Sequence, residues 1–253
     1  MRYTVDPELR KRVVDQLLLR ESEDTGRVGE AASSSVQQAS LPLLHVSDLI
    51  VSLPQTWYRM HGGAEEFTES SKQNMAFGVN NQRVLKLIPG IEVEVEVRRL
   101  LRREGDLAAF ADLVGHVDGV EAQIISSVRS QRFPWEVKTT LSGYKNSPSV
   151  HYFEQLGAYA YMLGAREGVL LTLHRGDREN IFKAGIVEWE PEELETWWEE
   201  ITRRAYLLLS APDIRELEGE QYAWSWGYSP QSFQEAYPDM RGGTYDGFFG
   251  SPL

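Results

Sequence analysis

Asp118, Glu136 and Lys138 carry the chemistry this chain offers. Asp118 stands in Ala111-Asp112-Leu113-Val114-Gly115-His116-Val117-Asp118-Gly119-Val120, and the other two in Phe133-Pro134-Trp135-Glu136-Val137-Lys138-Thr139-Thr140. Both stretches read as strands. Residues i and i+2 of a strand share a face, so Glu136 and Lys138 project together while Val137 turns into the core. With Asp118 facing them from a neighbouring strand, two carboxylates and one ammonium converge. Two carboxylates at hydrogen-bond range repel unless a hard cation lies between them, and oxygen ligands of this kind suit Mg²⁺ or Mn²⁺. The Val137 carbonyl is placed to help. The lysine can orient or deprotonate a water and offset charge on a phosphate, which together equips the chain for metal-assisted phosphodiester hydrolysis.

A helix must stand behind these strands. The stretch Val150 to Gly164 reads as a helix, with Pro148 near its start and Gly164 near its end as helices prefer. Gln155 and Tyr159 are four apart and share one face of it, from which they would orient Lys138 or the substrate backbone.

The ordered set Gly115-x-x-Asp118, Glu136-x-Lys138 and Gln155-x-x-x-Tyr159 resembles the RecB-type branch of the PD-(D/E)XK nuclease superfamily, over roughly residues 45 to 210. That branch includes recombination exonucleases and CRISPR adaptation nucleases. The resemblance implies an α/β fold of restriction-endonuclease type, a central mixed sheet flanked by helices. It implies a DNA nuclease acting on single strands or ends in recombination, repair or phage-type DNA processing. The chain departs from the branch in two places. Members that carry an iron–sulfur cluster place a cysteine after a Ser-x-Leu stretch, where this chain has Val51-Ser52-Leu53. It has no cysteine at all, so no iron–sulfur cluster is expected. Packed aromatics around Trp224, Trp226 and Tyr228 would take the staple's place against Trp57 and Tyr58. Members also carry a histidine near the metal on the preceding helix, here read over residues 65 to 88. Asn81 or Gln82 stands in its place, able to hold a water or a phosphate oxygen but a poorer metal ligand.

Plainer readings stand beside these. Asp118-Gly119 is a common hairpin-closing pair. Glu136 and Lys138 also fit an ion pair on a solvated strand, and Gln155 and Tyr159 ordinary helix positions. Glu92, Glu94 and Glu96 alternate with valines as the solvated face of a strand, from which one of them could add a carboxylate to the site. His116, two before Asp118, is a structural histidine first, or else a contact behind the carboxylate or to a phosphate.

The remaining elements frame this core. An amphipathic helix over residues 5 to 22 and a polar, small-residue linker to residue 40 form an N-terminal unit. The nuclease-like body spans 41–210, opening on a helix at His45 with Ser47 as its cap. It includes strands near 168–173 and 184–187 and a long helix from Pro191. Residues 211–253, rich in Gly, Pro and aromatics, form an irregular extension packed on the body.

With 38 acidic against 26 basic residues and a net charge of −12, the chain opposes approach to a polyanion unless its bases are gathered locally. Arg98, Arg99, Arg102, Arg103, Arg132 and Lys145 are the expected DNA-side bases. The same charge supports a second reading, a catalytically weak nuclease-fold module that binds DNA within a larger assembly through a protein partner. No apolar run reaches membrane-spanning length, no signal segment opens the chain, and a cytoplasmic setting is expected.

Overall fold

The computed structural model describes residues 1–20, 41–64, 72–73, 83–126, 129–141, 148–175, 182–222, 225 and 229–249. The strands are β1 (Arg2–Val5), β2 (Leu43–His45), β3 (Ile91–Leu101), β4 (Ala111–Ser126), β5 (Arg129–Leu141), β6 (Glu167–Arg175) and β7 (Phe182–Glu188). The helices are α1 (Pro7–Arg20), α2 (Val46–Ile50), α3 (Leu53–Met60), α4 (Val150–Leu163), α5 (Pro191–Ser210) and α6 (Gln231–Ala236). The strands form one seven-stranded mixed sheet in the order β1-β7-β6-β5-β4-β2, with β3 also pairing β4. Helices flank the sheet, an arrangement consistent with a restriction-endonuclease-like fold.

Local signals explain the helix bounds. Pro7 and Pro191 open α1 and α5, where a missing N–H costs nothing. The Asp6 carboxylate accepts the N–H groups of Glu8 and Leu9 at 2.9 and 3.0 Å. Gly164 ends α4 with φ of 69°, the left-handed turn that glycine adopts without strain.

Two apolar layers sandwich the sheet. Val13 of α1 packs with Leu85, Ile88, Trp135, Val137 and Leu171 on one side. On the other side, Phe153, Leu156 and Ala160 of α4 meet Leu170, Val187 and Leu194. Tyr159, Trp197 and Ile201 join Leu113, Val117 and the α2–α3 residues Leu49 and Leu53. β5 is therefore an interior strand whose alternate residues serve two cores. Val137 is buried toward α1, which leaves Glu136 and Lys138 on the α4 side.

Three local expectations change. The N-cap of α2 is His45 rather than Ser47, and the Asp48 side chain accepts the His45 N–H at 2.9 Å. The helix read over 65–88 falls largely outside the described residues, and its end, Arg83–Leu87, is a 3-10 turn. β1 and β2 are additional to the expected strands; β1 extends the sheet beyond β7, so residues well before Leu41 contribute a strand. No described helix is long and apolar enough to cross a membrane.

Candidate active site

A change of partner along β4 creates the site. β3 covers one edge of β4 from Ala111 to Glu121. On the other edge β4 pairs with β2 through Asp112–Val114 and with β5 from Gly119 onward. The stretch Gly115–Asp118 lies in the fork between those two partners. A cleft of about 390 Å³ opens there, lined by residues that include His45, Glu94, His116, Asp118, Glu136, Lys138, Gln155 and Tyr159.

The register brings the carboxylates together. Gly119 pairs with Trp135, so one step further along the antiparallel ladder sets Asp118 opposite Glu136. Directly opposed residues share a face. The Asp118 carboxylate takes the place of a ladder bond, its Oδ2 accepting the Val137 N–H at 2.8 Å. Asp118 therefore sits within a strand, and the hairpin-turn reading does not hold. Glu136 is 2% exposed; its Oε1 lies 2.5 Å from Lys138 Nζ. Its Oε2 is buried with no hydrogen-bond partner among the described residues.

A chain of side chains runs back from Lys138 to α4. Lys138 Nζ donates to Gln155 Oε1 at 2.7 Å, and Gln155 Nε2 donates to the Tyr159 hydroxyl at 2.8 Å. The Tyr152 ring lies 5.5 Å from the same ammonium. Gly115 makes room for Tyr159: a Cβ there would come within 2.7 Å of the ring. All five residues expected to do chemistry thus share one cleft.

Burial sets the electrostatics. It pushes the Glu136 carboxyl up to about 8, with Asp118 adding to the rise and Lys138 opposing it. Burial raises Asp118 as well, against Lys138 and the Val137 N–H, and Glu94 adds to that rise. For Lys138 burial works against the ammonium, but Glu136 and Asp118 outweigh it and the pKa is raised. Half-buried His151, at the start of α4, is held down to about 3 by burial and by Lys138.

Among the described residues no three His, Asp or Glu side chains are gathered into a complete metal cage. Asp118 and Glu136 make a two-carboxylate half-site. Its chemistry suits a hard divalent cation: oxygen donors, and one buried carboxylate oxygen without a partner.

The other expected residues divide. Exposed His116 lines the cleft and stacks on His45, ring centroids 5.3 Å apart. Asn81, Gln82 and Lys145 lie outside the described residues, as do Trp224, Trp226 and Tyr228. Tyr58 of α3 instead meets Phe233 of α6 at 5.5 Å, so a C-terminal segment does pack on that helix. The expected basic lip is largely engaged. Arg98 pairs with Glu96 at 2.8 Å and Asp112 at 3.4 Å, and Arg132 with Glu92 at 3.1 Å. Arg99 lies over the Tyr161 and Trp198 rings, and Arg103 over Tyr206. Exposed Arg102 makes no ion pair among the described residues.

Sequence reasoning did not single out His45, whose place beside the cleft depends on the parallel β2–β4 pairing. It weighed Glu94 only as one of three alternating glutamates. Glu94 falls where the β3–β4 register passes Asp118, and it alone among the described non-glycine residues has a positive φ, 55°. That conformation costs a residue with a Cβ roughly 1–2 kcal/mol.

No protein-family model matches this chain, and no curated protein matches it. Solved structures do. SSO0001 superposes with a TM-score of 0.57 at 17% identity, over 94% of this chain and 98% of that one. The likeness is one of fold. An alkaline exonuclease (LHK-Exo) from Laribacter hongkongensis superposes more weakly, with a TM-score of 0.41 at 12% identity, over 71% of this chain and 93% of that one.

Proposed function

We propose that the chain is a divalent-cation-dependent deoxyribonuclease that hydrolyses phosphodiester bonds in single strands or at DNA ends. One observation carries the reading: Lys138 is held by Glu136 and Gln155 beside a buried Glu136 oxygen that has no partner among the described residues. Preference for DNA, and for ends or single strands, rests on the motif resemblance.

Asp118, Glu136 and the Val137 carbonyl would hold Mg²⁺ or Mn²⁺. Such a cation, when bound, supplies positive charge to the phosphodiester oxygens and lowers the pKa of a water. The remaining work belongs to the side chains. An ammonium has three donors, and two of those on Lys138 are taken by Glu136 Oε1 and Gln155 Oε1. The third is left for an attacking water or a phosphate oxygen. Tyr159 accepts from the Gln155 amide nitrogen, which fixes the amide so that its oxygen faces Lys138. The raised pKa of Lys138 keeps it a donor at neutral pH, so its role is to orient and to stabilise charge rather than to remove a proton.

The test is cleavage of single-stranded, duplex and end-blocked DNA by pure protein with Mg²⁺ or Mn²⁺, with Lys138→Ala as control. Cleavage by the parent and none by the variant supports the reading; equal activity in both overturns it. A second reading draws on the net charge of −12 and the paired arginines: a catalytically weak nuclease-fold module that binds DNA inside an assembly. Cation-stimulated DNA binding without cleavage in that assay favours it.

A further inference from the structure

Glu94 is a residue whose backbone and side chain are at odds with an ordinary strand. The β3–β4 ladder pairs Val93 with Gly119 and Val95 with Val117, and passes over Glu94 at the position facing Asp118. The chain turns there through a φ of 55°, which glycine takes freely and a glutamate does not. This turn sets Glu94 in the lining of the cleft with Asp118 and Glu136. A solvated strand face has no use for such a conformation, and Glu92 and Glu96 keep their places in the ladder without it.

We propose that Glu94 is the third carboxylate of the cation site, swinging to the ion from its resting partner Lys86. The inference rests on the reading of Asp118 and Glu136 as cation ligands. Two observations support it. Glu136 lines the same cleft, and its buried Oε2 has no hydrogen-bond partner among the described residues, so one oxygen of the half-site is left over after Lys138 has taken Oε1. Glu94 is free to move: its side chain is 69% exposed and its ion pair to Lys86, at 3.2 Å, joins two exposed groups. Exposed pairs of that kind hold side chains weakly. A divalent cation between Asp118 and Glu136 still needs oxygen donors, and the strand that borders Asp118 presents one.

The experiment is Mn²⁺ binding to the full chain, followed by calorimetry and by the loss of the free-ion electron paramagnetic resonance signal, with no nucleic acid present. The parent should bind Mn²⁺, and Asp118→Asn should abolish binding. Glu94→Gln keeps the shape and removes the charge; it should weaken binding by about 10-fold or more, the order seen when groups supporting a metal are removed. Glu94→Gly suits the backbone but offers no oxygen; it should lose the same affinity with a thermal midpoint no lower than the parent's. Parental affinity in Glu94→Gln, with Asp118→Asn inactive in binding, overturns the role of Glu94 and leaves the two-carboxylate site standing. No Mn²⁺ binding by the parent overturns both.

Discussion

Asp118 Oδ2 accepts the Val137 N–H at 2.8 Å, so this carboxylate is bolted to the backbone between Glu136 and Lys138. The bond fixes the separation of the two strands at the fork. It also gives Asp118 a structural duty that Glu136 lacks.

Asp118→Ala should therefore cost stability as well as cleavage. It leaves a buried N–H unsatisfied, a loss of about 1–3 kcal/mol. Urea unfolding of the metal-free protein reads this. Relief of repulsion between the two carboxylates works the other way, so an unchanged or raised midpoint would show that repulsion outweighs the bond to Val137.

Glu136 should make the metal-free protein less stable as pH rises. Its folded pKa, about 8, exceeds the ordinary carboxylate value of 4.5. Below 4.5 both folded and unfolded forms are protonated and the stability is fully present. Between 4.5 and about 8 the unfolded chain gives up the proton while the folded one keeps it, so stability drains away. Denaturant midpoints in chelator at several pH values should show a steeper decline in the parent than in Glu136→Gln. Parallel curves would mean that Glu136 is ionised throughout.

Glu154 should be the costliest single loss outside the cleft. Fully buried in α4, it accepts the hydroxyls of Tyr222 and Tyr245, each at 2.8 Å, and the Phe248 N–H at 2.7 Å. Glu154→Ala strands three donors and should lower stability by about 3–5 kcal/mol. Limited proteolysis should then cut the segment after Leu217 first. Resistance equal to the parent's would show that the segment is held by its apolar contacts alone.

DNA binding should weaken with salt, with a shallow slope. Arg98 and Arg132 are already neutralised by acidic neighbours, which leaves Arg99, Arg102 and Arg103 as the described bases of the lip without an acidic partner, and Arg102 and Arg103 stand next to each other to meet phosphates. Arg102→Glu with Arg103→Glu should reduce the slope by about 1 per phosphate no longer neutralised and leave Mn²⁺ binding unchanged. Arg98→Glu should do less. The reverse order would place the DNA path across the Glu96 face of β3.

The site was legible where its signals are local. Glu136 and Lys138 alternate on a strand, Gln155 and Tyr159 lie one turn apart, and proline and glycine mark α4. Glu94 was not, because alternation of side chains says nothing of the sign of φ. Neither was Glu154, though it precedes Gln155 directly: its partners lie 68, 91 and 94 residues further on. β2 escaped notice because only three residues, Leu43–His45, form it, and their pairing partner is 69 positions away at Asp112–Val114. The engaged state of the arginines depends on acids contributed by other positions on β3 and β4.

The Glu154 contacts also order events during synthesis. A carboxylate meant for a dry interior has none of its three donors until Tyr222, Tyr245 and Phe248 have left the ribosome. α4 carries both that carboxylate and the Gln155–Tyr159 pair, so the helix behind Lys138 settles only after residue 248 has emerged. A nascent chain halted before residue 222 would hold Lys138 against an unfinished support. Order around Lys138 would then arrive with residues 222–248 rather than grow steadily with length.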